Sequence, residues 1–196
     1  MIFVLSNYFC KFTPKLHIYE DKARNCRELV AALYGAEAGR LRQIYPAYQL
    51  HEVCGTVCLP RYTQRPVKDF TKYILLTNFS KYVEIFATHF HVPILGEDSN
   101  MPSASADGVT IINFGMGSAN AATVMDLLSA VKPEAVLFLG KCGGIKKVNK
   151  LGDYILPIAA IRGEGTSNDY FPPEVPALPA FMLQRAVSTA VRNHHR

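Results

Sequence analysis

From residue 73 onward the chain alternates short apolar runs with segments of helical periodicity, and this alternation limits the folds open to it. Tyr73-Ile-Leu-Leu-Thr-Asn78, Val109-Thr-Ile-Ile-Asn-Phe114 and Ala135-Val-Leu-Phe-Leu139 are too short for helices and too apolar for half-exposed strands. They read as buried strands of a largely parallel sheet. Between them lie helical patterns. Val83, Phe86, Ala87 and Phe90 follow Ser80, a candidate N-cap; Ala121, Val124, Met125, Leu128 and Val131 follow Ser118, another. Pro133 ends that second crossover. Tyr154–Ile161 reads as a fourth strand, and Pro157 within it argues for an edge or bulged position. Pro176 opens a last helix through Leu178, Phe181, Met182, Ala186 and Val191. Strands and helices in this order predict an α/β fold.

Composition narrows the function classes. The chain has 196 residues, 49% hydrophobic and 19% charged, enough for one sizeable core. No apolar stretch reaches the roughly 20 residues of a membrane span, and no secretory signal pattern opens the chain. The net charge is +5, and residues 1–70 carry ten Lys and Arg against six Asp and Glu. This excess is scattered and lacks interleaved aromatics, so it reads as a solvated surface and not as a nucleic-acid interface. Five cysteines without an export signal fit a reduced, cytoplasmic setting. His51, Cys54 and Cys58 have ligand-like spacing, but a structural zinc site needs a fourth ligand; no metal is expected.

Residues 1–58 give no clear assignment. Residues 21–45 suggest a helix interrupted by Gly35 and Gly39, and Leu59–Pro66 reads as a connector. The chain therefore divides into an unassigned segment, 1–58, and an α/β domain, 59–196.

Ligands of such sheets bind at the carboxyl ends of strands. That rule selects residues 115–118, 140–144 and 162–170, which hold seven of the thirteen glycines. Gly115 and Gly117 sit between strand and helix, where backbone N–H groups can meet an anion; a tight turn needing small residues fits equally well. Asn120 stands where a dinucleotide fingerprint has its third glycine. Gly140-Lys141-Cys142-Gly143-Gly144 lacks the spacing of an ATPase phosphate loop, yet its backbone can wrap a small ligand with Lys141 as cation. Cys142 reads as a packing residue before a nucleophile, because no His lies nearby in sequence. Arg162, Glu164, Thr166 and Ser167 lie in the most polar loop and offer a guanidinium, a carboxylate and two hydroxyls.

Read together, these segments resemble the AMP nucleosidase branch of the purine nucleoside phosphorylase superfamily. The resemblance starts near Leu59-Pro-Arg-Tyr-Thr63 and passes through Ile111-Ile-Asn-Phe-Gly-Met-Gly-Ser118. It is densest in Val136–Gly144 and Arg162–Pro173, and it takes in Glu174–Arg185. It implies a three-layer α/β/α fold around a mixed sheet, incomplete in this chain, and hydrolysis of AMP to adenine and ribose 5-phosphate. It implies no cofactor, a homo-oligomer, and phosphate as an effector. Phosphorylases of the group hold attacking phosphate with an Arg and a Ser, and Phe138 and Lys141 occupy the matching places here. That change fits water as nucleophile, with Lys141 and Arg162 facing the 5′-phosphate.

The family's ribose-gripping glutamate follows a methionine, and its proton-donating aspartate follows a serine. This sequence has neither Met-Glu nor Ser-Asp. The resemblance therefore places both groups beyond residue 196, and a nucleotide-binding fragment without catalysis is the alternative reading. A purine nucleoside phosphorylase is a third.

Overall fold

The computed structural model describes residues 2–5 and 47–194. The expected helix at 21–45 lies outside the described residues. Five strands form one mixed sheet: β1 (Ile2–Leu5), β2 (Tyr73–Thr77), β3 (Ser103–Ala106), β4 (Val109–Asn113) and β5 (Ala135–Leu139). Their order is β1-β5-β2-β4-β3. The central trio β5, β2 and β4 runs parallel, as the apolar runs predicted, and the flanking strands are antiparallel. Hairpin partner β3 turns back onto β4 through Asp107 and Gly108, both with positive φ.

Among the described residues, three helices flank the sheet, α1 (Ala47–Thr63), α2 (Ser80–Phe90) and α3 (Ser118–Leu127), and a fourth, α4 (Phe181–His194), meets the 154–161 segment where Gln184 Nε2 donates to Pro157 O. Alternation along the central strands divides the core. Ile74, Leu76 and Ile112 point to one face, where they pack with Leu59 of α1 and with Val124 and Leu127 of α3. Ile111 points the other way, onto Val83 and Ala87 of α2. Sheet and two helical layers make the α/β/α sandwich. At the α1–α3 crossing, a Cβ on Gly55 would lie 2.6 Å from Leu127 O and 2.9 Å from Ala130 Cβ. Only glycine permits that approach.

Four local expectations are corrected. The Leu59–Pro66 connector is helical as far as Thr63, with Pro60 inside α1. An interior proline costs a helix about 3 kcal/mol, but Cys58, Leu59 and Thr63 are all buried, so tertiary packing holds the turn. Thr63 Oγ1 donates back to Leu59 O at 2.7 Å. Beyond it, the buried Arg65 donates from Nε to Ser103 Oγ at 3.1 Å and fixes the connector to β3.

Ser80 and Ser118 are first helical residues and not caps; Phe79 and Gly117 hold the cap positions, without a side-chain cap bond. Tyr154–Ile161 forms no strand and makes one isolated bridge, Ala160 to Ala177. Among the described residues it has no strand neighbour along its length, so none of its side chains is buried, and Ile161 is 98% exposed. The last helix begins at Phe181 and not at Pro176. Pro179 accounts for this, since the residue before a proline is disfavoured in helical geometry.

Candidate functional site at the carboxyl edge of the sheet

Register fixes where the loops emerge. Thr77 is opposite both Asn113 and Leu139, so the chain leaves β2, β4 and β5 at the same edge, at residues 78, 114 and 140. Strands are spaced by about 4.8 Å, which puts the exits of β5 and β4 roughly 10 Å apart across β2. The loop after β2 leads to α2 on one face, and the loop after β4 leads to α3 on the other. Loops that leave neighbouring strands for opposite faces mark the kind of switch point at which ligands of doubly wound sheets bind.

At the β4 exit, Asn113 Oδ1 accepts from Gly115 N at 3.0 Å and sets the turn. Gly115 and Gly117 have φ of 79° and 96°, which side chains rarely adopt. The backbone thus enters α3 with no side chain at either position, and Asn120 Nδ2 would lie 3.1 Å from a Cβ on Gly115.

At the β5 exit, Gly140 is buried; a Cβ there would meet the Phe138 ring at 2.8 Å and Asn78 Oδ1 at 3.7 Å. Phe138 itself packs against the core, with its ring 5.7 Å from that of Phe114. Asn78 Oδ1 is buried without a hydrogen-bond partner among the described residues. Lys141 is exposed, with its ammonium 4.7 Å from the Phe79 ring centre and 5.5 Å from that of Tyr82. Those contacts hold the cation beside the start of α2 and leave its N–H donors for a ligand. Cys142 is an exposed free thiol, and a Cβ on Gly143 would meet nothing within 4 Å.

The 162–170 loop reaches the site by a different route from the one expected. No strand delivers it; it docks on α3. Ser118 Oγ and Thr166 Oγ1 are 2.8 Å apart, and Tyr170 OH donates to Asp126 Oδ2 at 2.9 Å. Ser167 N donates to both Glu164 carboxylate oxygens, at 3.3 and 3.2 Å. Hydrogen bonding from Ser167, with smaller contributions from Ser118 and the Thr166 N–H, holds the Glu164 carboxyl below the usual carboxylate range, against the opposing effect of burial. Arg162 points inward. Its Nε donates to Val175 O at 2.7 Å, Nη1 to Ser167 O at 2.8 Å and Phe171 O at 3.1 Å, and Nη2 to Pro172 O.

The expected residues therefore fall into two groups. Gly115, Gly117, Glu164, Thr166 and Ser167 gather around the first turn of α3. Lys141, Cys142 and Gly143 follow β5, beside α2. The residues not anticipated are Asn78, Phe79 and Tyr82 near the β2 exit, and the Asp126–Tyr170 pair. Applying the carboxyl-end rule to β2 selects Asn78 and Phe79 directly. No sequence signal marks a pair 44 residues apart.

Residues 72–196 match the family model of the phosphorylase superfamily. The AMP nucleosidase of Escherichia coli is 28% identical, over 68% of this chain and 35% of that protein. Guanosine phosphorylase of Halorubrum lacusprofundi is 37% identical, over 40% of this chain and 34% of that one. Among solved structures, AMP nucleosidase from Bacteroides thetaiotaomicron superimposes with a TM-score of 0.72 and 64% identity, covering 74% of this chain and 64% of that chain. A uridine phosphorylase from Vibrio fischeri shares the fold, with a TM-score of 0.59 at 22% identity, over 65% of this chain and 54% of that one. The chain thus spans about a third of the length of these two curated relatives. Among the described residues, no helix is long and apolar enough to cross a membrane.

Proposed function

The chain belongs to the phosphorylase superfamily, and from that premise we propose that it serves the hydrolysis of AMP to adenine and ribose 5-phosphate. The observation that carries the choice of hydrolysis over phosphorolysis is the pair Phe138 and Lys141. Phe138 turns its ring into the core at the position where the resemblance places the phosphorylases' Arg, leaving no guanidinium there for a free phosphate. Lys141 replaces the accompanying Ser and holds its charge at the open edge. One cation at that point suits a 5′-phosphate carried by the substrate. The likeness to the AMP nucleosidases supports the same reading.

The chemistry follows from the scissile bond. Cleaving an N-glycosidic bond builds positive charge on the ribose and negative charge on the departing purine, so a catalyst must bind that distribution better than the ground state. In this proposal Lys141 anchors the phosphate. Gly115, Gly117 and Gly143 let the backbone close on the nucleoside, and Glu164, Thr166 and Ser167 bind its polar edge. Cys142 lines the same loop. Arg162 leaves one of its five N–H groups outside its four carbonyl bonds, so Lys141 makes the main phosphate contact. The site lies in the 59–196 part of the chain, works in the cytoplasm as a homo-oligomer, and uses no cofactor.

Incubating the purified chain with AMP tests the proposal. Release of adenine and ribose 5-phosphate is the expected result. AMP binding without cleavage leaves the nucleotide-binding reading, and phosphate-dependent release of ribose 1-phosphate from a nucleoside overturns hydrolysis in favour of a phosphorylase.

A further inference from the structure

Residues 160–177 make a loop with a closed neck, where Ala160 and Ala177 exchange both backbone hydrogen bonds, at 2.9 and 3.0 Å. The interior of this loop holds one side chain that ties its parts together. The four Arg162 bonds end on carbonyls of Ser167, Phe171, Pro172 and Val175, which span the whole far side of the loop. A guanidinium is planar and rigid, so four bonds in its plane fix the mutual orientation of those four peptides. The loop is then pinned to α3 at two places, Ser118–Thr166 and Asp126–Tyr170. Eight residues of helix separate the pins by roughly 12 Å. A body held internally and fixed at two such points can turn only about the line that joins them.

Resting on the nucleotide reading above, we propose that Arg162 is a positioning residue: it holds the 160–177 loop in the shape that sets Glu164 and Thr166 against the first turn of α3, without itself contacting phosphate. A bidentate phosphate contact needs two parallel N–H groups, and Arg162 has one outside its carbonyl bonds. Freeing a second would strip a carbonyl of a charge-assisted donor. The sequence signal fits both roles, because an arginine opening a Gly-rich polar loop looks the same whether it faces outward or inward.

Two measurements on the 196-residue chain, with Arg162→Lys and Arg162→Met, separate the roles. The first is amide hydrogen exchange without ligand. Loss of protection of about tenfold or more within 163–175, with β2, β4 and β5 unchanged, is expected in both variants, because the single ammonium of lysine cannot reproduce the planar fork. The second is affinity for AMP and for adenosine. Both should weaken by the same factor, about tenfold, and lysine should not rescue either. Weakening of AMP alone, restored by lysine, with loop exchange unchanged, would overturn the proposal and make Arg162 a phosphate ligand. Unchanged exchange in both variants overturns it as well. If the unsubstituted chain binds neither compound, the nucleotide reading fails, while the exchange measurement still decides whether Arg162 holds the loop.

Discussion

Residues 55–140 and residues 141–193 are both rich in apolar side chains, yet they fold on different terms. Every buried hydrophobic residue among those described lies between Cys58 and Val136, and none from Lys141 to Asn193 is buried. The clearest contrast is between two similar runs. Tyr73–Thr77 lies between two parallel neighbours, with Leu76 at 0% exposure, whereas Tyr154–Ile161 has one bridge and carries Ile158 and Ile161 largely outside. Apolar side chains make a strand only where neighbours accept the backbone's hydrogen bonds and a layer covers each face. The second region keeps its shape by other means, through polar side chains. Arg162 bonds to carbonyls, and hydroxyls of Thr166 and Tyr170 fasten the loop to α3.

The sharpest way to break this contrast is to truncate one side chain in each run. Leu76→Ala should lower unfolding free energy by about 2–5 kcal/mol, and Ile161→Ala by less than about 0.5 kcal/mol, read from denaturant midpoints. Equal effects would mean that the second region is packed as tightly as the first. Next in size is a pair of glycine substitutions. Gly55→Ala forces a methyl within 2.6 Å of a backbone carbonyl, and a loss of about 1–3 kcal/mol is expected in thermal or denaturant unfolding. Gly163→Ala meets nothing within 4 Å and should stay within about 1 kcal/mol of the parent.

Lys141 stands at the boundary of the two regions. Exposed as it is, Lys141→Met should leave the unfolding midpoint nearly unchanged. It should weaken AMP binding by about tenfold and leave adenosine binding alone, as calorimetry can show. The smallest effect concerns pH. Since the folded loop depresses the Glu164 pKa, its contribution to loop docking is complete above the ordinary value of 4.5 and is lost as pH falls through the lower folded value. Exchange rates across 163–170 should rise in that acid window, and Glu164→Gln should flatten the dependence.

These contrasts also mark what could be read from residues. The three parallel strands were legible because each is a short unbroken apolar run, and two of the three loops follow directly from where those runs end. The site's geometry was not. Lys141 stands over Phe79 and Tyr82, about sixty residues earlier in the chain, because β5 pairs with β2, and no local pattern encodes that pairing. Residue type and the resemblance offer the Arg162 guanidinium to a phosphate, while its carbonyl partners depend on a loop closed by Ala160 and Ala177.

The sequence by itself determined the α/β alternation and the glycine-rich exits, since these rest on periodicity and residue type, and its resemblance to the family marked Phe138 and Lys141 as the places where phosphorylases carry Arg and Ser. The tertiary structure decided that helix α1 continues through Pro60, that Tyr154–Ile161 is no strand, and that Arg162 turns inward. In each case the local preference was weak or two-sided. Burial of Leu59, the lack of a pairing strand among the described residues and four available carbonyls settled it, because those terms exist only once distant residues meet.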